Sequence, residues 1–587
     1  MGHLLPLRAG VAVRGRSATV LKSGLVLTLL FLASRTLVLG QDAGGALSDC
    51  RGMRVSEIVI TPRDPSFLAL PQRLRPLARA VGLHHTTTKP DVIGRFMLLE
   101  VGGPCTEERR AETERILRLQ PFLADATVRA VASPLGGARI EVETVDEIPT
   151  VFGVRLDGVL PSAIRFGNGN VGGQGLHLAA RVERGFAYRN GVGVEATAHQ
   201  AFGRPYTLSL VAERAPLGST LSVALGHSFL TDLHRTAWHV GFRDVTQYVS
   251  FTPPEGDPLS LEVERRLWSG GGVRRIGLGR QSAFIGVLVT AEAVRAGSPG
   301  VVADSGFAAD TTGALGGPLP SYRNMRLNAV LGVRSLSFLA GRGFDALTAV
   351  QDLATGLQLG AVLGQGVPRV GDLDDDRFVA VDLYAGRASG TALVALWLRG
   401  EARWDTRSDR WDSMIGSGRM AWYIKPSPDH VLVGSAEFAG GQRPRVPFQL
   451  MLGDREGGVR GYAAARLGGA ARTVFRLEER WSIGGLTRHA EVGLSGFADA
   501  GWVWAGDAQF GTDSRLKVGV GVGLLAAFPP QSPRLWRLDV AVPVSADPHA
   551  RWEVRLSSSW TRSPWREPDD VARTRAGAAA SRIFRWP

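Results

Sequence analysis

The sequence predicts a mainly β chain: a transmembrane antiparallel β-barrel of about sixteen strands behind a small α/β domain. Three observations carry this. From about Thr150 to Trp560, segments of roughly ten residues alternate in hydrophobicity between Gly, Pro, Asp and Asn breaks, as strands with one lipid face and one lumen face do. Beyond the N-terminus no apolar run reaches the ~18 residues of a spanning helix, although 44% of the chain is hydrophobic and mean hydropathy is +0.02. Residues Met53 to Val145 have the different texture of a small soluble module.

The formal net charge is +13. The arginines are spread over nearly every strand-like segment, and no basic cluster lies on a nucleic-acid-binding fold, so nucleic acid is not the expected partner. Attraction to anionic head groups of outer-membrane lipids, or a cationic lumen, accounts for the charge.

Taken in order, residues 1–40 read as a secretory signal. Arg8, Arg14, Arg16 and Lys22 form a basic region, Leu25 to Ala33 an apolar core, and Val38-Leu39-Gly40 a cleavage site before Gln41. A linker covers 41–52. The small domain spans 53–148. Val55 to Ile60 alternates as a strand; Pro71 to Leu83 and Lys89 to Leu99 carry helical spacing. Thr106 caps a helix from Glu107 to Leu119, with Glu107 and Glu108 at its positive end. Strands at Ala126–Val131 and Ala138–Val145 flank a Pro-Leu-Gly-Gly turn. The only cysteines, Cys50 and Cys105, fall in this region and predict one bridge in an oxidising compartment; two buried thiols are the alternative.

The β-α-α-β-β order, with Glu112-Thr113-Glu114-Arg115-Ile116-Leu117-Arg118 followed by Pro121-Phe122-Leu123-Ala124-Asp125-Ala126, resembles a POTRA domain. That resemblance implies a periplasmic module, open to periplasmic partners, ahead of an outer-membrane barrel.

The barrel is expected over 149–562 and an extension over 563–587, where Pro564, Pro568, Asp569 and Asp570 break the pattern. The last strands show the alternation best. Leu516, Val518, Val520, Val522 and Leu524 oppose Lys517, Gly519, Gly521 and Gly523; Trp552, Val554 and Leu556 oppose Glu553, Arg555 and Ser557. A soluble sandwich also alternates, but so many strands over more than 400 residues favour a barrel. Pro253–Pro258 and Ser298–Pro320 read as long outer loops.

One segment, about Gly440 to Ala471, lacks any period. A patternless loop of roughly 30 residues is usually functional. It carries Gly458-Val459-Arg460-Gly461-Tyr462, in which two glycines let the backbone turn sharply around an arginine, whose five-donor fork suits a carboxylate. On the flanking strands Glu478 and Asp499 fall on the polar, lumen-facing side, within reach if the loop folds inward.

Val459-Arg460-Gly461-Tyr462, Glu478-x-Arg480, Phe497-x-Asp499-x-Gly501, Gly519-x-Gly521-x-Gly523 and Arg537-x-Asp539 stand in the order and rough spacing of the BamA/TamA superfamily barrel, the bacterial surface-antigen family, which this block resembles. The resemblance implies that the arginine loop enters the lumen and packs on the Phe497-Asp499-Gly501 wall, with Glu478 and Arg480 beside it. It implies a non-enzymatic protein of the bacterial outer membrane that assists insertion or translocation of unfolded outer-membrane or secreted clients. A two-partner-type secretion pore, a lipid-transport relative and a passive porin are the alternatives. Family members often have several POTRA domains, where this chain has room for one. No cofactor is expected. The spacing of His227, His234 and His239 fits no metal-ligand motif, and the acidic run Asp372 to Asp376 reads as a solvated loop.

Overall fold

The computed structural model describes residues 50, 52–65, 86–134, 136–157, 160–186, 189–256, 258–277, 281–303, 306–310, 321–368, 374–453, 457–487, 490–560 and 567–575. The expected signal segment, nearly all of the linker and the helix expected at Pro71–Leu83 lie outside these residues.

The N-terminal module is a three-stranded sheet. Val55–Arg63 pairs in parallel with Ala138–Asp146, which pairs antiparallel with Leu123–Ala132. The helix Glu107–Arg118 covers it; the Thr106 hydroxyl accepts from the Arg109 N–H at 3.3 Å, and Glu107 and Glu108 occupy the first turn. The helix expected over Lys89–Leu99 is only Pro90–Gly94. Its apolar residues still turn inward: Val92, Ile93, Phe96 and Leu99 join Ile116, Leu117, Phe122, Val128 and Ile140 in one core. Cys50 and Cys105 are bonded and buried in that core.

Among the described residues there follows a closed antiparallel barrel of about 20 strands, in which the first, Thr150–Asp157, lies beside the last, Glu553–Trp560. This corrects the expected sixteen. The excess comes from short hairpins such as Tyr206–Arg214 with Ser219–His227, and from the glycine-bearing Arg189–Ala201, where alternation is diluted. Expected Ser298–Pro320 is not a loop throughout: Gly300–Ala303 continues its strand and pairs with Gly306–Ala309, and 311–320 lie outside the described residues.

The faces are sorted as lipid requires. Val522, Leu524, Leu538, Val540, Val554 and Leu556 point outward and are exposed, while Glu478, Asp499 and Asp539 on the same or adjoining strands are buried inside. A water-soluble sandwich would reverse that sorting.

Candidate functional site

The patternless stretch returns into the barrel. It leaves the wall after His430–Gln442, makes one two-residue pairing of Leu450–Met451 with Gly468–Gly469, and rejoins at Ala471–Thr487. Its tip is buried: Val459 and Tyr462 are 0% exposed and Arg460 is 7% exposed. Gly461 takes φ +92°, which places Arg460 and Tyr462 on separate anchors.

Arg460 binds across three wall strands. Its Nε donates to Asp499 Oδ2 at 2.7 Å and its Nη2 to Asp499 Oδ1 at 2.8 Å, a bidentate pair. Its Nη1 donates to Asp539 Oδ2 at 3.1 Å, and Nη2 lies 3.6 Å from Glu478 Oε2. The guanidinium carbon stands 3.3 Å over the Phe497 ring. Around this centre Arg537 bonds both oxygens of Glu478 at 2.8 and 3.1 Å, and Arg480 Nε donates to Glu478 at 2.5 Å. A low-dielectric interior makes such charges costly unless each is paired, and these are.

The glycines of the motifs make room. Asp499 lies opposite Gly519, Phe497 opposite Gly521 and Ser495 opposite Gly523. A Cβ on Gly519 would stand 2.1 Å from the Arg460 carbonyl oxygen; one on Gly521 would meet the Phe497 ring at 2.4 Å. On Gly523 it would lie 2.3 Å from Asp539 Oδ1, and on Gly501 it would lie 2.9 Å from the Val459 side chain. The strand is stripped of side chains where the loop lands.

The flanking residues fix the tip. The Gly461 N–H donates to Glu553 Oε2 at 3.0 Å, tying the loop to the last strand. The Tyr462 hydroxyl sits 2.8 Å from the Ser545 carbonyl and accepts from the Ser545 N–H at 3.2 Å. Val459 packs with Leu452, Val474 and Val503, and the Gly458 carbonyl accepts from Arg476 at 2.9 Å. The structure thus brings Val459, Arg460, Gly461, Tyr462, Glu478, Arg480, Phe497, Asp499 and Gly501 into one patch.

Sequence reasoning missed two of its carboxylates, Asp539 and Glu553. The Arg537-x-Asp539 spacing was the available signal for the first. It also missed a second interior centre. Glu292 bonds Arg403 at 2.6 Å, and Asp376 stands 3.3 Å from Arg326 and 3.7 Å from Arg403 and Arg445, with Glu292, Arg326, Arg403 and Asp376 all buried. The end of the acidic run is therefore no solvated loop: its last member is strand-borne and ion-paired.

Residues 444–580 match the Omp85 superfamily domain. No curated protein matches the chain. Among solved structures, BamA from Haemophilus ducreyi lacking POTRA domains 1-3 is 10% identical with TM-score 0.38, over 88% of this chain and 85% of that one. CdiB from Escherichia coli is 10% identical with TM-score 0.38, over 88% and 91%. CdiB from Acinetobacter baumannii is 10% identical with TM-score 0.33, over 91% and 96%.

Proposed function

We propose that this chain, whose residues 444–580 match the Omp85 superfamily domain, is a BamA/TamA-type barrel that assists the insertion or translocation of proteins at the bacterial outer membrane, without catalysis. The observation that supports this reading is the reach of one loop. Arg460 grips Asp499 and Asp539, while the adjacent Gly461 N–H holds Glu553 on the strand that abuts the first. A loop anchored to the closing strand governs how readily that edge exposes unpaired N–H and C=O groups. An exposed edge is a template for a client strand.

The N-terminal sheet and helix serve, in this reading, as a single POTRA-type module in the periplasm that receives unfolded clients. It docks on the barrel through Arg118, which bonds Asp352 at 2.6 Å. The test is reconstitution into lipid vesicles with an unfolded β-barrel client. The client should fold faster than in protein-free vesicles, and Arg460→Ala should remove most of the gain. Equal client folding with and without the protein would overturn the reading, and a wide, steady conductance would then favour a porin.

A further inference from the structure

The segment after the last strand does not trail away. Residues 567–575 contact wall strands from separated parts of the sheet. Asp570 accepts from Arg472 at 2.7 and 3.3 Å on the Ala471–Thr487 strand. Glu567 accepts from Ser417 at 2.9 Å and from Arg399 at 3.3 Å, on two further strands. The Arg575 carbonyl accepts from Arg265 at 3.2 Å, on the Leu259–Ile276 strand. A short piece of chain can touch separated staves of a closed barrel only from inside.

The seat is built for this occupant. Arg472 is 2% exposed and holds Asp570 in a bidentate grip. Val571 is 0% exposed, packed with Ile415, Ala439, Phe448 and Leu450. Arg575 closes the segment on itself through Glu567 at 2.6 Å, donates to Ser417 at 2.6 Å, and lies 3.6 Å from Glu401. Gly457, in the arginine-bearing loop, leaves the room that Pro568 fills: a Cβ there would lie 2.8 Å from the proline ring. Acid meets base, aliphatic meets aliphatic, and the loop is shaped around the segment.

We propose that residues 567–575 are an internal plug: the lumen carries a binding site for a short acidic-aliphatic peptide, filled at rest by this segment of the chain itself, and leaving the seat opens the interior. The proposal goes beyond the client reading above and does not need it, because its readout is the state of the lumen and not client folding.

The experiment uses the full chain in planar bilayers. Asp570→Arg sets two guanidiniums against each other in a buried site, where like charges repel strongly, and should expel the segment and raise steady conductance several-fold. Asp409→Arg adds the same charge at an exposed turn and should leave conductance at the level of the unchanged chain. Combining Asp570→Arg with Arg472→Asp restores an opposite pair and should return conductance to the closed level. A peptide with the sequence of residues 567–575, added to the Asp570→Arg protein, should block it with saturation. A folded Asp570→Arg protein with unchanged conductance would overturn the proposal. Hydrogen exchange on the unchanged chain decides the matter if that variant does not fold: amides of 570–575 should be protected as strand amides are, and exchange at the rate of free peptide would overturn the plug.

Discussion

One carboxylate, that of Asp499, receives three hydrogen bonds from one residue, Arg460: from its backbone N–H at 3.2 Å and from its guanidinium at 2.7 and 2.8 Å. Backbone and side chain are thereby fixed at once. The loop cannot slide along the wall without breaking all three, so the pair sets position more than it adds stability.

Removing one partner of such a buried pair leaves the other charge unpaired, which costs about 3–5 kcal/mol. Arg460→Ala should therefore lower the temperature at which the barrel loses its heat-resistant mobility on gels. Arg443→Ala, at an exposed position of the same loop, should stay within ~0.5 kcal/mol of the unchanged chain. Arg460→Lys should fall between, because an ammonium lacks the planar fork. Equal melting of the Arg460 and Arg443 variants would remove the loop from its structural role.

The glycine ladder makes a second prediction. Gly519→Ala places a methyl group 2.1 Å from the Arg460 carbonyl oxygen, and that atom is backbone. The loop must lift, so Gly519→Ala should destabilise by about 1–3 kcal/mol, as overpacking does, and expose Tyr462 to fluorescence quenchers. Gly400→Ala finds nothing within 4 Å and should be nearly silent in both measurements.

The bridge between Cys50 and Cys105 should act locally. It joins residues 55 apart in sequence within the core of the N-terminal module. Opening a bridge of this kind costs ~2–4 kcal/mol. Replacing both cysteines by serine should make that module sensitive to protease while the barrel keeps its heat resistance. Loss of both together would mean that the two parts melt as one unit.

What the sequence displayed follows from the range of the interactions. Period-two faces are local, so the faces of the Ala490–Trp504 and Lys517–Ala527 strands were legible to within a few residues. An inward Arg460 facing Glu478 or Asp499 was legible because glycine spacing and strand parity both pointed inward, but the choice of Asp499 between the two was not. Asp376 was not, because its partners Arg326, Arg403 and Arg445 come from three separate parts of the chain. Val571 was not either: one buried valine in an arginine-rich tail has no period, and its neighbours Ile415 and Leu450 are distant in sequence. The strand count failed where glycine interrupts the alternation.

The last prediction concerns how the N-terminal module sits on the barrel mouth. Arg118, at the end of the Glu107–Arg118 helix, donates to Asp352 through Nη2 at 2.6 Å and Nε at 3.3 Å, and both side chains are largely buried. Burial opposes the charge on Arg118, but Asp352 and Glu114 outweigh it and raise its pKa. Arg115 adds a bond to the Leu230 carbonyl at 2.6 Å and stacks 4.3 Å over Phe338. Hydrogen bonds to charged groups are worth about 1.5–3 kcal/mol each, so Asp352→Ala should loosen the joint without unfolding either part. Spin labels on the module and on an outer strand should then show a broadened distance distribution. Asp91→Ala breaks only the exposed i,i+4 pair with Arg95, worth ~0–1 kcal/mol, and should leave the distribution sharp. A distribution equally sharp in both variants would mean that the module's other contacts, among them Asn170 to Thr88 at 2.7 Å and Ser532 to Glu147 at 2.7 Å, hold it without Asp352.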